Sequence, residues 1–357
     1  MPNLFDPIQI NRLQLPNRFV RSATFDNLGQ EGMVSDAQLN LYGVLSRGEV
    51  GLIISGGLYP TRNGMGTAGQ LSADRDESIP SLKKLAGTVH ANGGKIAGQI
   101  LHCGFRSRES VTGTQPIGPS ATTDPESGSR VRELSGGEID AMVDAYIQAA
   151  RRVVEAGFDA VQLHGAHGWF LSAFLSPVMN RREDEWGGSA EKRARFLRLI
   201  CRGIRKMAGP SYPVLVKLGL KDYHPQGKTV SEGIAVAQML ESDGVDAVEV
   251  SEGIEQKWGH HIRKDAMHPY YVEECRQARS VLAKPLILVG GMRELRDMQT
   301  VLDEGTADAV SFCRPFIQDP HIVAKFRKGE ADSSICNSCN ECGERMIEGR
   351  FGCALNG

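Results

Sequence analysis

Asp159-Ala160-Val161-Gln162-Leu163-His164-Gly165-Ala166-His167-Gly168-Trp169 is the stretch whose reading decides the fold. Apolar residues alternate up to Leu163, and then the chain turns small and polar. The pattern is that of a buried strand ending in two histidines three residues apart. If the strand belongs to a parallel barrel, both imidazoles sit at the rim where such barrels carry their chemistry. A single histidine there is as readily a satisfied structural residue; a pair at a strand end weighs toward function.

Working outward, seven further runs read as strands: Arg18–Thr24, Val50–Gly57, Lys95–Leu101, Pro213–Gly219, Asp246–Gly253, Pro285–Gly291 and Ala307–Arg314. Most are short and rich in Val, Ile and Leu, as expected when both faces of a parallel sheet are buried. Helical patterns lie between them. Ser135-Gly-Gly-Glu138 has the form of a capping box ahead of Ile139, Met142, Val143, Tyr146 and Val153, with Gly157 as the stop. Ser189 opens a second helix that runs to about Gly209, and Ser231 a third that runs to Gly244. Eight strand–helix alternations predict an α/β fold, a (β/α)8 TIM barrel, over a doubly wound open sheet, because no reversal of order is evident. Residues 1–334 form the barrel, with a long irregular insert, 102–134, after strand 3; residues 335–357 form a Cys-rich tail expected to pack on the same domain.

Of the 357 residues 41% are hydrophobic and 24% charged, ordinary for a globular protein, and the net charge of −2 favours neither nucleic acid nor an anionic membrane. The N-terminus lacks a basic segment followed by an apolar run, and no apolar stretch is long enough to span a bilayer, so a cytoplasmic protein is expected. In that compartment the crowded Cys336, Cys339, Cys342 and Cys353 point to a metal or cluster rather than to disulfides. Cysteines at two-residue intervals suit iron–sulfur ligation; structural zinc more often takes two separated pairs, so zinc or an empty motif is the alternative.

Strand 7 ends at Gly290-Gly291 and strand 8 at Cys313-Arg314, the two places where barrels often hold a phosphate. Glycines allow backbone N–H groups to approach, and a guanidinium matches a phosphate in bidentate fashion. The plainer alternative is a tight turn and an arginine capping a carboxylate. Gly64-Met-Gly66-Thr-Ala-Gly69 fits a dinucleotide fingerprint formally but lacks its strand–turn–helix setting, and reads as a loop. Gln99 and Lys217 both could face the barrel mouth. An amide beside a cation suits a heterocycle that becomes anionic on reduction, such as a flavin; an internal ion pair of Lys217 with Glu249 is the competing reading.

These residues resemble the old yellow enzyme family of FMN-dependent oxidoreductases. The resemblance rests on His164-Gly-Ala-His167-Gly-Trp169-Phe-Leu, Phe174-Leu-Ser-Pro177, Asn180-Arg-Arg182, Asp184 and Gly187-Gly188-Ser189. It extends to Asn17-Arg18-Phe-Val-Arg-Ser22-Ala-Thr24, Ser55-Gly-Gly57 and Ser311-Phe-Cys-Arg314-Pro-Phe-Ile-Gln-Asp-Pro320, nearly the whole chain. The tail cysteines are similar to those of the dienoyl-CoA reductase, enoate reductase and trimethylamine dehydrogenase branch, whose members carry a [4Fe-4S] cluster and C-terminal nucleotide-binding domains. This sequence ends at Gly357, so an FAD-to-cluster-to-FMN relay within it is not expected.

The resemblance implies that Ser22, Ala23, Thr24, Gly57 and Gln99 line the flavin ring, that Lys217 faces flavin N1 and C2=O, and that Gly290, Gly291, Cys313 and Arg314 hold the FMN phosphate. It implies that His164 and His167 hydrogen-bond the oxygen of an activating carbonyl while hydride arrives from flavin N5, NAD(P)H being the transient reductant. Two positions depart from the family. Trp169 replaces the tyrosine that gives the α-carbon its proton, and an indole N–H is no practical acid. His260 or His261, in the loop after strand 6 with Trp258, is then the expected donor, with Tyr270 and Tyr271 farther along. Phe25 stands where relatives have a Thr or Cys that tunes the flavin.

Three functions are carried forward. The first is NAD(P)H-driven reduction of an electron-poor alkene of the α,β-unsaturated carbonyl type. The second is an FMN amine dehydrogenase or demethylase passing electrons to a partner protein, which Trp169 favours because that oxidation needs no α-carbon acid. The third is a non-catalytic flavin electron-transfer module. A small-molecule substrate and a homo-oligomer are expected, with no nucleic acid or membrane partner; the insert and the strand-6 loop would set specificity.

Overall fold

Eight parallel strands close on themselves in the computed structural model, which describes residues 2–124, 127–255 and 267–356. They are β1 (Phe19–Arg21), β2 (Leu52–Ile54), β3 (Ile96–Ile100), β4 (Ala160–Gly165), β5 (Val214–Tyr223), β6 (Ala247–Glu255), β7 (Leu286–Val289) and β8 (Ala309–Phe312). Each neighbours the next in sequence, and β8 pairs with β1. This is the (β/α)8 barrel. Six of the strands are shorter than the runs read from sequence, while β5 and β6 run on past theirs to Tyr223 and Glu255.

Side chains alternate across each strand. The outward set, including Phe19, Ile53, Ile96, Val161, Leu163 and Val216, packs on the helices through residues such as Tyr146, Val153, Phe196 and Ile200. The lower inward set is Val20, Leu52, Ala97, Ala160, Leu215, Ala247, Ile287 and Ala309. Small residues leave room there for a plug. An antiparallel hairpin, Ile8–Ile10 with Leu13–Leu15, inserts Ile8, Ile10, Leu13 and Leu15 against this set and closes the N-terminal end of the barrel. Each such side chain contributes roughly 1.5–3 kcal/mol by leaving water. The opposite end is left for chemistry.

The helices begin where their caps place them. Ser135 and Glu138 form the reciprocal capping box of Gly136–Glu155, and Ser189 caps Ala190–Ala208. The helix Val230–Ser242 is capped by Thr229, not by Ser231. Thr229 has an acid three residues on, Glu232, whose carboxylate accepts from the Thr229 N–H at 2.9 Å; Ser231 has Ile234 in that place and can form no box. The insert is more regular than expected. It carries a small sheet of Ile117–Gly118, Thr122–Thr123 and Arg130–Glu133. Arg182, from the chain after β4, ties it down through the Pro119 carbonyl at 3.0 Å and the Glu133 carboxylate at 3.2 Å. Residues 64–69 follow a single short turn and no helix, as a loop should. Among the described residues no helix is long and apolar enough to cross a membrane.

Candidate active site

One step up from the plugged floor, the inward positions change chemistry. Ser22, Gln99, Gln162, Lys217, Glu249 and Ser311 come from six strands or strand ends, and all are buried. Parallel pairing sets Lys217 of β5 level with both His164 of β4 and Glu249 of β6. The Lys217 ammonium donates to Glu249 Oε1 at 3.0 Å and to Ser22 Oγ at 2.9 Å. Ser22 and Ser311 hydroxyls also donate to Glu249 Oε1, each at 2.7 Å. Gln162 Nε2 donates to Glu249 Oε2 at 3.0 Å, and Gln99 Nε2 donates to Gln162 Oε1 at 2.7 Å. Burial pushes the Glu249 carboxyl up, but the Lys217 charge and the Ser311 and Ser22 donors outweigh it and hold the carboxyl below its ordinary value. The ion-pair reading of Lys217 therefore holds, within a network that also reaches Gln99.

Beside Lys217, at the end of β4, begins the histidine pair. His164 ends β4 and is buried, while His167 is half-buried. Their rings meet edge to face, centroids 5.1 Å apart. His167 has a φ of +61°, a left-handed backbone that non-glycine residues rarely adopt and that clusters at functional sites. It is held there by its N–H, which donates to the Glu252 carbonyl at 2.9 Å, and by a 2.7 Å hydrogen bond between its Nε2 and Ser251 Oγ. Trp169, half-buried, follows at the start of the short helix Phe170–Leu175.

At the ends of β7 and β8, Gly290 and Gly291 have φ of +101° and +74°, which suits glycine alone. A Cβ on either would collide with the Tyr270 ring or the His268 carbonyl. Beside them stand two buried guanidiniums, Arg314 and Arg293. Arg293 donates to the Met292 and Cys336 carbonyls and to Ser338 Oγ, and no carboxylate pairs with it among the described residues. Burial, with repulsion from Arg314, pulls its affinity for a proton down. Two neighbouring buried cations with such partners suit an anion. Arg314 donates to Asn340 Oδ1 at 2.6 Å and also contacts the Ser338 carbonyl, so it leans on the tail. Thr24 Oγ1 lies 3.1 Å from Cys313 Sγ.

The tail thiols gather near this end. Cys353 packs with Ile317 and Met346, and Cys313 and Cys342 lie against them. Burial pushes the Cys342 thiol up to about 12, aided by the nearby Cys313, Cys336 and Cys353 thiols; Cys353 in turn feels Cys336 and Cys339. Among the described residues no three such side chains converge on a point that could hold one metal ion. A four-iron cluster takes one thiolate per iron, so it needs no such convergence.

Ser22, Gln99, Lys217 and the histidine pair thus stand together, with Thr24, Cys313, Arg314 and the two glycines around them. Trp258, His260 and His261 lie outside the described residues. Tyr271 belongs to the hydrophobic core and meets the Tyr223 ring at a tilt and the Tyr270 ring edge to face, so its ring is spent on packing rather than on the rim. Phe25 is exposed. Sequence reasoning passed over Gln162, Ser251, Ser311 and Arg293. The first three could have been found as polar residues at inward positions of otherwise apolar strands; Arg293 carries no such signal.

Comparison with known proteins agrees with this geometry. Residues 3–333 match the NADH:flavin oxidoreductase / NADH oxidase family. An NADH oxidase of Thermoanaerobacter brockii is 35% identical over 99% of this chain, which spans 56% of that protein. A 4,4'-dithiodibutanoate disulfide reductase of Rhodococcus erythropolis is 30% identical, covering 96% of this chain and 92% of its own. The solved structure of morphinone reductase in complex with tetrahydroNAD superposes with a TM-score of 0.81 at 30% identity, over 93% of this chain and 92% of that one. The chain is a member of the NADH:flavin oxidoreductase / NADH oxidase family, an FMN oxidoreductase of old yellow enzyme type.

Proposed function

We propose that this enzyme uses NAD(P)H to reduce an electron-poor alkene conjugated to a carbonyl. The observation that carries this is the gathering of two sets of groups at one rim: a cation and an amide, Lys217 and Gln99, beside an edge-to-face pair of histidines, His164 and His167. Bound FMN supplies the hydride-accepting and hydride-donating chemistry. Lys217 and Gln99, with Ser22, Ala23, Thr24 and Gly57, face its ring; Gly290, Gly291, Cys313 and Arg314, joined by Arg293, hold its phosphate. His164 and His167 hold the substrate carbonyl oxygen and stabilise the charge that gathers there, with His167 aimed by Ser251. Trp169 walls the pocket without supplying a proton; His260 or His261 delivers it. The barrel of residues 1–334 and the tail of 335–357 act as one unit, in which Cys336, Cys339, Cys342 and Cys353 would hold a [4Fe-4S] cluster, a group that carries single electrons.

Anaerobic mixing with NADH and NADPH, then with 2-cyclohexenone, tests the reaction. Bleaching of the flavin by a nicotinamide and its reoxidation by the enone are expected; absence of both sinks the reading. His164→Ala is expected to lower kcat by about 10²–10³, the usual loss of one oxyanion donor. Trp169 supports a second reading, oxidation of small N-methylated amines, and these belong in the same panel with 4,4'-dithiodibutanoate. Iron and acid-labile sulfide in anaerobically purified protein test the cluster.

A further inference from the structure

Glu249 has no part in the scheme above, yet four other inward-facing side chains converge on it. It is fully buried and accepts four hydrogen bonds, from Lys217, Ser22, Ser311 and Gln162. Two consequences follow from its being an ionised acceptor. The first concerns charge. The Lys217 ammonium does not stand alone under the pocket; its charge is matched 3.0 Å away, and the pair is neutral. The second concerns polarity. A carboxylate can only accept, so Gln162 must offer Nε2 to it and turn Oε1 outward. Gln99 must then donate its Nε2 to that oxygen, which leaves Gln99 Oε1 and one Nε2 hydrogen for other partners. One carboxylate thereby sets which way two amides face, across β6, β4 and β3.

Resting on the flavin reading, we infer that Glu249 is a positioning residue that sets the redox potential of the flavin by neutralising Lys217 and fixing the orientation of Gln99. A bare lysine would favour the reduced, anionic ring more strongly than the pair does. Glu249 therefore keeps the flavin a stronger reductant, suited to passing hydride onward.

The variant Glu249→Gln keeps size and removes charge. Its amide N–H₂ would face that of Gln162, so Gln162 turns over, and Gln99 after it. The measurement is the flavin midpoint potential of the loaded protein, by dye-equilibrated reduction. The reduced-to-oxidised equilibrium is expected to shift toward reduced flavin by at least about tenfold, which for two electrons is about 30 mV. Glu249→Asp, which keeps the charge, is expected to return most of the way to the parent. A folded, yellow Glu249→Gln protein with the parent potential overturns the inference. Should that variant fail to fold, Lys217→Gln/Glu249→Gln carries no buried charge, and its equilibrium is expected within about threefold of the parent; a tenfold departure overturns the inference. A parent protein that takes up no FMN overturns the flavin reading and this inference together, whereas one that binds FMN and ignores Glu249 overturns this inference alone.

Discussion

The floor of the barrel and the storey above it are built by the same strands and behave as opposite materials. Moving two residues along six of the eight strands converts Val20 to Ser22, Ala97 to Gln99, Ala160 to Gln162, Leu215 to Lys217, Ala247 to Glu249 and Ala309 to Ser311, while β2 and β7 stay apolar at Ile54 and Val289. The floor is apolar, and the hairpin Ile8–Leu15 seals it. Its stability is a sum of buried areas, and each side chain counts for about its own surface. The upper storey is a closed hydrogen-bond network in which removing one member strands the others. Stability and chemistry are thus separated along the barrel axis by a single inward step.

The largest break in that comparison is Lys217→Met. It leaves the Glu249 carboxylate buried and unpaired, and an unfolding loss of about 3–5 kcal/mol is expected by denaturant titration. Removing both charges, as Lys217→Met/Glu249→Gln, is expected to return most of that stability, since no charge is left buried and the amide oxygen still accepts from Ser22 and Ser311. Next comes the floor itself. Leu15→Ala is expected to cost about 2–5 kcal/mol, with FMN affinity unchanged. If flavin binding falls with it, the two storeys are coupled and the separation fails.

Outside the barrel a smaller loss is expected from Ser135→Ala, about 1 kcal/mol by urea unfolding, through loss of one helix cap. The partner in that cap, Glu138, is held down at about 2 by the Arg132 guanidinium and by Ser135 donors. A depressed carboxyl stabilises the fold above its ordinary value of 4.5 and loses that contribution as pH falls toward 2. Glu138→Gln should therefore flatten the acid limb of a stability-versus-pH profile by modestly lowering stability at neutral pH, and leave stability near pH 2 little altered. The smallest effect is expected at the rim. Ser251→Ala removes one hydrogen bond from His167, worth about 0.5–1.5 kcal/mol, so kcat/KM for 2-cyclohexenone should fall roughly two- to tenfold with little change in melting.

Much of this architecture was legible in the sequence. Eight Val/Ile/Leu-rich runs and the caps at Ser135 and Ser189 report local physics, because burial on both faces and a capping hydroxyl just ahead of a helical period leave marks within a few positions. Thr229 left the same mark, and Ser231 was read in its place. The hairpin at residues 8–15 was not legible, since two three-residue strands have no periodicity to show and are held by the barrel floor rather than by themselves. At the site, Lys217 and Gln99 were visible as polar interruptions of apolar strands, but whether Lys217 faced a ligand or Glu249 was open. Thirty-two positions separate the two residues, and the register between β5 and β6 brings them level. The left-handed backbone of His167 was hidden as well, for no residue type announces it.

By itself the sequence determined the alternation of strands and helices, the family, and the position of the histidine pair at a strand end. Each of these is written in neighbours two to four residues apart, the range over which a pleat or a helical turn repeats. The tertiary structure alone decided that Lys217 is paired, that Ser251 holds His167, and that Arg293 joins Arg314 beside the tail. The partner of a buried charge is chosen by how the barrel closes, and closure brings together residues whose local patterns know nothing of one another.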